Sequence, residues 1–238
     1  MTPRQAIPRE WVDRLQDGQI SLGYDVATTE RGTSNPSGLT VMQRESRVCA
    51  SRLVITWKTA EPAIARQVIS CVLDDLESAG KKPRRFVIDA SSERYYAADM
   101  KTFLAKRCSV ELVGGNQKLA FRGEELDAKT LLGNMYSSAL EDGLILLPSG
   151  DWIELDIRLV GKEAGRFVTA LGPGGEHGEV FDSGKLAYWG FHCSVSGKAE
   201  AAAVGSVAKA NNLMDRPGLI GPIRGGRRFD RGGHRLNG

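Results

Sequence analysis

The sequence predicts an α/β domain with a mixed sheet: three antiparallel strands, then two parallel ones, flanked by helices. Three observations carry this expectation. The apolar stretches Ile20–Ala27, Gly38–Arg44 and Val48–Trp57 follow one another with only polar, turn-forming segments between them, which is how an antiparallel meander is spaced. Phe86–Asp89 and Val110–Val113 are each preceded by a helical pattern, and parallel neighbours need such crossovers. With 238 residues, 41% of them hydrophobic and 26% charged, the chain can bury one sizeable core.

The elements follow in order. Met1–Gln19 reads as a lead-in, with a short helix over Arg9–Leu15 turning Trp11 and Leu15 toward the body. It lacks the apolar stretch of a signal peptide, and a start of this kind is expected of a domain cut from a longer protein. Ile20–Ala27 (I-S-L-G-Y-D-V-A) alternates apolar with small or polar residues and carries Asp25 near its end. Pro62–Ala79 reads as a helix, with Ile64, Val68, Cys71, Val72 and Leu76 as its apolar face and Gly80 at its end. Pro62 suits the first turn, where a missing N–H costs nothing. Arg85–Asp89 is a strand that also ends on an aspartate. A helix over Glu93–Lys106, the strand Val110–Val113 and a helix over Ala128–Glu141 come next. Asp127 is the expected N-cap of that last helix, and Leu131, Leu132, Met135, Tyr136 and Ala139 form its apolar face. Leu144–Leu147 and Trp152–Val160 read as strands of a hairpin arm closed by Phe167–Leu171, and a glycine-rich turn then leads into a helix over Glu179–Phe191. The domain is expected to span residues 20–197. Beyond it, Lys198–Lys209 is alanine-rich, and Arg216–Gly238 holds six arginines and seven glycines against the single acid Asp230. The stretch 198–238 therefore reads as a disordered basic tail without a core of its own. Taken together, the β-β-β-α-β-α-β-α order is that of an RNase H-like fold.

Bulk properties narrow the function less. A net charge of +3 and a pI of about 8.7 are compatible with nucleic acid without specifying it. The four cysteines, Cys49, Cys71, Cys108 and Cys193, form no C-x-x-C pair; Cys49 and Cys71 are expected as reduced core thiols, which suits a reducing cytosol. No apolar run reaches the roughly 18 residues of a membrane span, so no membrane role is expected. D-S-G-K (Asp182–Lys185) is not a P-loop, because the glycine spacing is wrong and Leu186 stands where Ser or Thr must bind Mg²⁺.

The acids carry the chemistry. Asp25 and Asp89 end strands expected side by side at one sheet edge, and Glu179 and Asp182 open a helix three residues apart, on one side of it. Hard Mg²⁺ or Mn²⁺ prefers such oxygen ligands. Phosphodiester cleavage by two ions needs carboxylates converging on metals about 3.5–4 Å apart, one activating water and the other stabilising the leaving oxygen. Each acid also has a plain structural reading: a turn cap for Asp25, an N-cap for Asp89, favourable charge in a first helical turn for Glu179 and Asp182. His177, two residues before Glu179, is a candidate to orient a ligand or assist proton transfer. His192 with Cys193 reads as packing. Lys81, Lys82, Arg84, Arg85, Lys101, Lys106, Arg107, Lys118, Arg122 and the tail arginines are candidates for phosphate contact.

The set G-Y-D-V-A-T-T-E…N-P-S-G-L-T-V, F-V-I-D-A-S-S-E and H-G-E-V-F-D-S-G-K-L-A-Y, over about Ser21–Gly190, resembles the C-terminal nuclease domain of phage terminase large subunits. The resemblance implies a metal-dependent endonuclease that cuts concatemeric viral double-stranded DNA during packaging, with Mg²⁺ or Mn²⁺, in the cytoplasm of the infected host. It implies Asp25 as the first acid and Asp89 as the second. The third normally lies in H-G-D or H-D-D; here the motif reads H-G-E, so either Glu179 or Asp182 takes that role. It also implies a packaging ATPase domain, a small terminase subunit and a portal as partners. The ATPase P-loop is not in this sequence, so translocation would come from elsewhere. Two alternatives stand beside this reading: another RNase H-like nuclease, of resolvase or RNase H type, which duplex and hybrid substrates would separate, and a non-catalytic DNA-binding or docking module.

Overall fold

Alternation across the pleat organises the centre of the molecule. In β1 (Gln19–Asp25) the side chains of Ile20, Leu22 and Tyr24 point to one face of the sheet and those of Ser21, Gly23 and Asp25 to the other. β2 (Ser37–Glu45) pairs antiparallel with β1, and β3 (Val48–Trp57) antiparallel with β2. The chain then returns to the other edge of β1. β4 (Pro83–Asp89), reached through helix α1 (Pro62–Ser78), lies parallel to β1. β5 (Val110–Val113), reached through α2 (Arg94–Leu104), lies parallel to β4. A two-residue strand, β8 (Ile145–Leu146), adds to β3 and completes the order β5-β4-β1-β2-β3-β8. The first five strands have the order and directions of the RNase H-like fold. The structure, a computed structural model, describes residues 10–28, 35–173 and 176–193, all within one unit, Met1–Ala201. The alanine-rich segment Lys198–Lys209 and the Arg/Gly-rich Arg216–Gly238 lie outside the described residues.

Each face of the sheet has its own core. Ile20, Leu22, Tyr24, Phe86 and Ile88 pack under α1 and α2, where Tyr24 also stacks on Trp57 at 5.5 Å between ring centroids. Trp11 is buried there too, beside a short 3-10 turn at Val12–Arg14. On the opposite face Val87 packs with α3 (Ala128–Glu141) and α5 (Glu179–Trp189), through Leu131, Leu132, Leu186 and Trp189. Ile69, Val72, Leu73 and Leu76 of α1 are buried, each worth about 1.5–3 kcal/mol as an upper estimate.

Four expectations need correction. The buried stripe of α1 is Ala65, Ile69, Val72, Leu73 and Leu76, so it is rotated by about one residue from the expected face. Cys71 therefore lies exposed, while Cys49 is buried as expected. Asp151–Arg158 is not a strand but helix α4. The two-residue alternation of Ile153, Leu155 and Ile157 imitates a strand, yet the helix buries Ile153 with Asp156 and leaves Leu155 exposed. The hairpin arm forms between β9 (Val160–Glu163) and β10 (Arg166–Thr169), whereas Leu144–Leu147 contributes only β8, on the main sheet. Finally, β6 (Lys118–Phe121) and β7 (Glu124–Asp127) form a second hairpin that the sequence reading passes over. Both hairpins turn on two residues with positive φ, Arg122-Gly123 and Ala164-Gly165, which gives the twist that tight two-residue turns need. Asp127 caps α3 as expected, accepting the Thr130 N–H at 2.9 Å.

Candidate functional site

Strand pairing places two of the acids. Tyr24 is in register with Ile88, so Asp25 and Asp89 are the next residues on adjacent parallel strands. Because Tyr24 and Ile88 point into the core under α1 and α2, pleating turns Asp25 and Asp89 to the other face, the one that α5 covers. The helix after β4 begins only at Arg94, so Asp89 is not its N-cap. Instead Asp89 Oδ1 accepts the Ser91 N–H at 2.8 Å and the Ser91 hydroxyl. Ser91 Oγ in turn accepts the Gly115 N–H at 2.7 Å, which ties Asp89 to the loop after β5.

The third acid arrives because α5 lies directly on the sheet. A Cβ on Gly23 would stand 2.1 Å from the Ser183 carbonyl oxygen and 2.3 Å from the Ala187 nitrogen; one on Gly38 would stand 2.7 Å from the Glu179 oxygen. Only residues without side chains at these two positions allow backbone to touch backbone. Ser183 adds a hydroxyl contact of 2.7 Å to Thr40 of β2. The N-terminus of α5 is held from outside the helix: Asp156 of α4, itself buried, accepts the Gly178 N–H at 3.0 Å and the Val180 N–H at 2.7 Å.

This docking sets Asp182 beside Asp25 and Asp89. Burial pushes the Asp25 carboxyl well above its ordinary range, and the charges of Asp182 and Asp89 push it further. Lys185 opposes them, one helical turn past Asp182, with which it forms an ion pair. Burial pulls the Lys185 ammonium down, but Asp182, Asp25 and Asp89 outweigh burial and leave it raised. One ammonium thus sits in the field of three carboxylates. A cavity of about 180 Å³ opens on the cluster, bordered by Asp89, Ser91, Lys129, Asp182 and Lys185.

The Glu179 charge also raises the Asp25 carboxyl, but the hydrogen bonds of Glu179 lie on the Asp156 side. It is buried, and its Oε2 accepts the His177 N–H at 3.0 Å. Burial first, then a hydrogen bond with Asp156, push its carboxyl up to about 8. Oε1 lacks a partner while both carboxylates are ionised; a proton on Glu179 supplies the donor that Asp156 can accept. The His177 ring reaches Asn35 (Nδ1 to Nδ2 3.4 Å) rather than the acids. His192 is packing, as expected. It is buried against Phe121 and Tyr188, takes a 3.2 Å contact from Arg44, and is lowered to about 3, chiefly by burial. Four of the expected phosphate-binding cations are otherwise engaged: Lys81 pairs with Asp17, and Arg84 donates to the Gly190 and Cys193 carbonyls. Arg85 is buried and donates to Ser109, and Arg107 pairs with Asp74 and Glu77.

Among the described residues no three His, Cys, Asp or Glu side chains form a ready cation cage. The donor set nonetheless fits a hard divalent cation in kind: three carboxylates face one ammonium, leaving excess negative charge on oxygen donors.

The sequence matches no protein-family model and no curated protein. Solved structures do resemble it. The large terminase nuclease of the thermophilic phage G20c is 16% identical, with 72% of this chain and 82% of that one covered at a TM-score of 0.49. The human cytomegalovirus terminase nuclease domain is 12% identical, over 81% and 97%, at 0.48. The large terminase of a second thermophilic bacteriophage is 12% identical, over 71% of this chain and 38% of that one, at 0.47. Two of these structural neighbours are terminase nuclease structures and the third is a large terminase. The cytomegalovirus domain has also been soaked with Mn.

Two residues central to the site escape the sequence reading. Lys185 is met there only as part of a failed P-loop, although its position three after Asp182 is the signal that would have found it. Asp156 is hidden inside a misread strand.

Proposed function

We propose that this chain is a divalent-metal-dependent endonuclease that cuts double-stranded viral DNA, and that Asp25, Asp89 and Asp182 would hold the metal. The observation that supports it most is the meeting of these three carboxylates. Two come from the ends of neighbouring parallel strands and one from the helix pressed onto them, with Lys185 as their shared counter-charge. The bound metal would supply an activated water and charge neutralisation at the leaving oxygen.

The chain's own residues do the rest. Ser91 fixes one Asp89 oxygen and leaves the other for binding. The sheet and α5 hold the donors rigidly, which pre-pays their orientation. Lys185, which lines the cavity, offers a cation to a phosphate oxygen bound there. Glu179 serves beneath the site, as a protonated partner of the Asp156 cap, so Asp182 rather than Glu179 is the third donor in this reading, and His177 has no role at the acids. The reading extends to genome packaging in the cytoplasm of an infected host, beside an ATPase, a small subunit and a portal.

The test is plasmid nicking with Mn²⁺, Mg²⁺ or EDTA. Wild type is expected to cut with either metal and not in EDTA. Asp25→Asn, Asp89→Asn and Asp182→Asn are expected to lose about 10²-fold or more, and Glu179→Gln to keep most activity. Undiminished cutting by Asp25→Asn would overturn the assignment.

A further inference from the structure

The cluster's cavity does not end at the acids. It shares Ser91, Gly115 and Lys129 with a second cavity of about 590 Å³ that reaches Arg94 and Asn116. That one shares Asn116 and Lys129 with a third, also about 590 Å³, which reaches Lys118 and Arg166 on the two hairpins. Lys129 lines all three, so they form one groove that begins at Asp89 and Asp182.

The charge along this groove reverses once it leaves the acids. Arg94, Lys129, Lys118 and Arg166 are exposed on its walls, and among the described residues none of the four is joined to a carboxylate in a salt bridge. The carboxylate among them is Asp127, which is committed to capping α3 and faces Lys118 across the β6–β7 hairpin. Lys129 occupies the first turn of α3, the end where the helix dipole disfavours a cation by roughly 0.3–1 kcal/mol. A row of exposed cations that make no salt bridge among the described residues, one of them at a locally unfavourable position, fits a polyanion with regularly spaced charges.

We infer that this groove is the track for the phosphodiester backbone of the strand being cut. Lys129 contacts a phosphate next to the scissile one, and Arg94, Lys118 and Arg166 contact those beyond it. The inference rests on the nuclease reading and adds the path of the substrate. It gives the hairpins, which lie outside the main sheet, a function.

The test measures binding of the full chain to short duplex DNA in EDTA across a range of KCl concentrations, with plasmid nicking in Mn²⁺ run alongside. Lys129→Ala and Arg166→Ala are expected to bind about 5- to 10-fold more weakly, and each to reduce the slope of log K against log[salt] by about 0.9. Lys129→Arg should bind as wild type does. Arg158→Ala, which removes an exposed cation already paired with Glu154 on α4, should also leave slope and affinity unchanged. If Lys129→Ala and Arg166→Ala keep the wild-type slope and affinity while Asp25→Asn still abolishes cutting, the track is wrong and the nuclease reading stands. If wild type neither binds nor cuts DNA, both fall.

Discussion

Replacing Gly23 by alanine should damage activity more than stability. The added Cβ would lie 2.1 Å from the Ser183 oxygen and 2.3 Å from the Ala187 nitrogen, where ordinary contact starts near 3.4 Å. Both obstacles are backbone of α5, so no side chain can swing aside, and the helix must retreat from β1 by about 1 Å, at an overpacking cost of roughly 1–3 kcal/mol. Alanine recovers about 0.4–1 kcal/mol by restricting the unfolded chain, which is too little to offset the clash. A net loss of about 1–2 kcal/mol should lower the urea midpoint by roughly 1 M. The same movement carries Asp182 away from Asp25 and Asp89, and a misplacement of about 1 Å costs on the order of 10²-fold in rate. The assay pairs urea denaturation with metal-dependent nicking at a temperature where the variant remains folded. A wild-type midpoint together with wild-type cutting would show that α5 does not set the site through this contact.

Asp156→Ala removes the acceptor of two α5 amides and of the Glu179 proton, and should cost about 2–4 kcal/mol; a melting curve like that of wild type would refute the capping role. His192 gives a pH signature. Its folded value of about 3 lies below its ordinary 6.5, so between those values the unfolded chain binds the extra proton. The His192 contribution to stability should fall with pH from 6.5 toward 3, by up to about 1.4 kcal/mol per unit, and be flat above 6.5. His192→Phe should flatten that acid limb in urea titrations, and an unchanged limb would count against the burial of a neutral imidazole. Glu179 has the opposite sign. Its folded value near 8 exceeds the ordinary 4.5, so its contribution is complete below 4.5 and is lost as pH rises through 8. Glu179→Gln, which mimics the protonated acid, should gain on wild type steadily between these limits when the two are compared by urea titration; a parallel pH profile would contradict it.

The strands and the first two acids were legible because they depend on local signals. Alternation in Ile20–Ala27, the polar turns around it and the crossover helices fix both the order of the sheet and the common edge of Asp25 and Asp89. Asp127 was legible as a cap because capping is a contact between residues three apart. What stayed hidden depends on partners distant in sequence. The alternation in Trp152–Val160 gave way to helix because Asp156 finds two amides more than twenty residues away. Cys71 sits one step off the buried stripe of α1, a rotation that packing in the shared core decides. The motif does not distinguish Glu179 from Asp182, since both occupy one side of the same first turn; the structure differs between them in burying Glu179 beside Asp156. The Arg122-Gly123 turn was visible, and it is a signal the sequence reading passed over.

The site's own electrostatics account for the rigidity around it. Three carboxylates in partly dry surroundings repel one another, and the repulsion acts to lift α5 from the sheet, because Asp182 is the member mounted on a separate element. Four features hold the helix down. The backbone contacts at Gly23 and Gly38 leave no slack. The Thr40–Ser183 hydroxyl pair fixes its lateral position. Asp156 holds its first turn from α4. Lys185 answers the charge directly, from the same helix that carries Asp182. A cation bound by the acids would take over part of the work of Lys185, and would leave its ammonium available to the substrate. In this sense the lysine belongs to the same balance as the acids. Its neutral replacement, Lys185→Met, should lower the melting temperature when no divalent cation is present, and added Mn²⁺ should recover most of that loss while cutting stays impaired; a Mn²⁺-independent melting temperature would refute this balance.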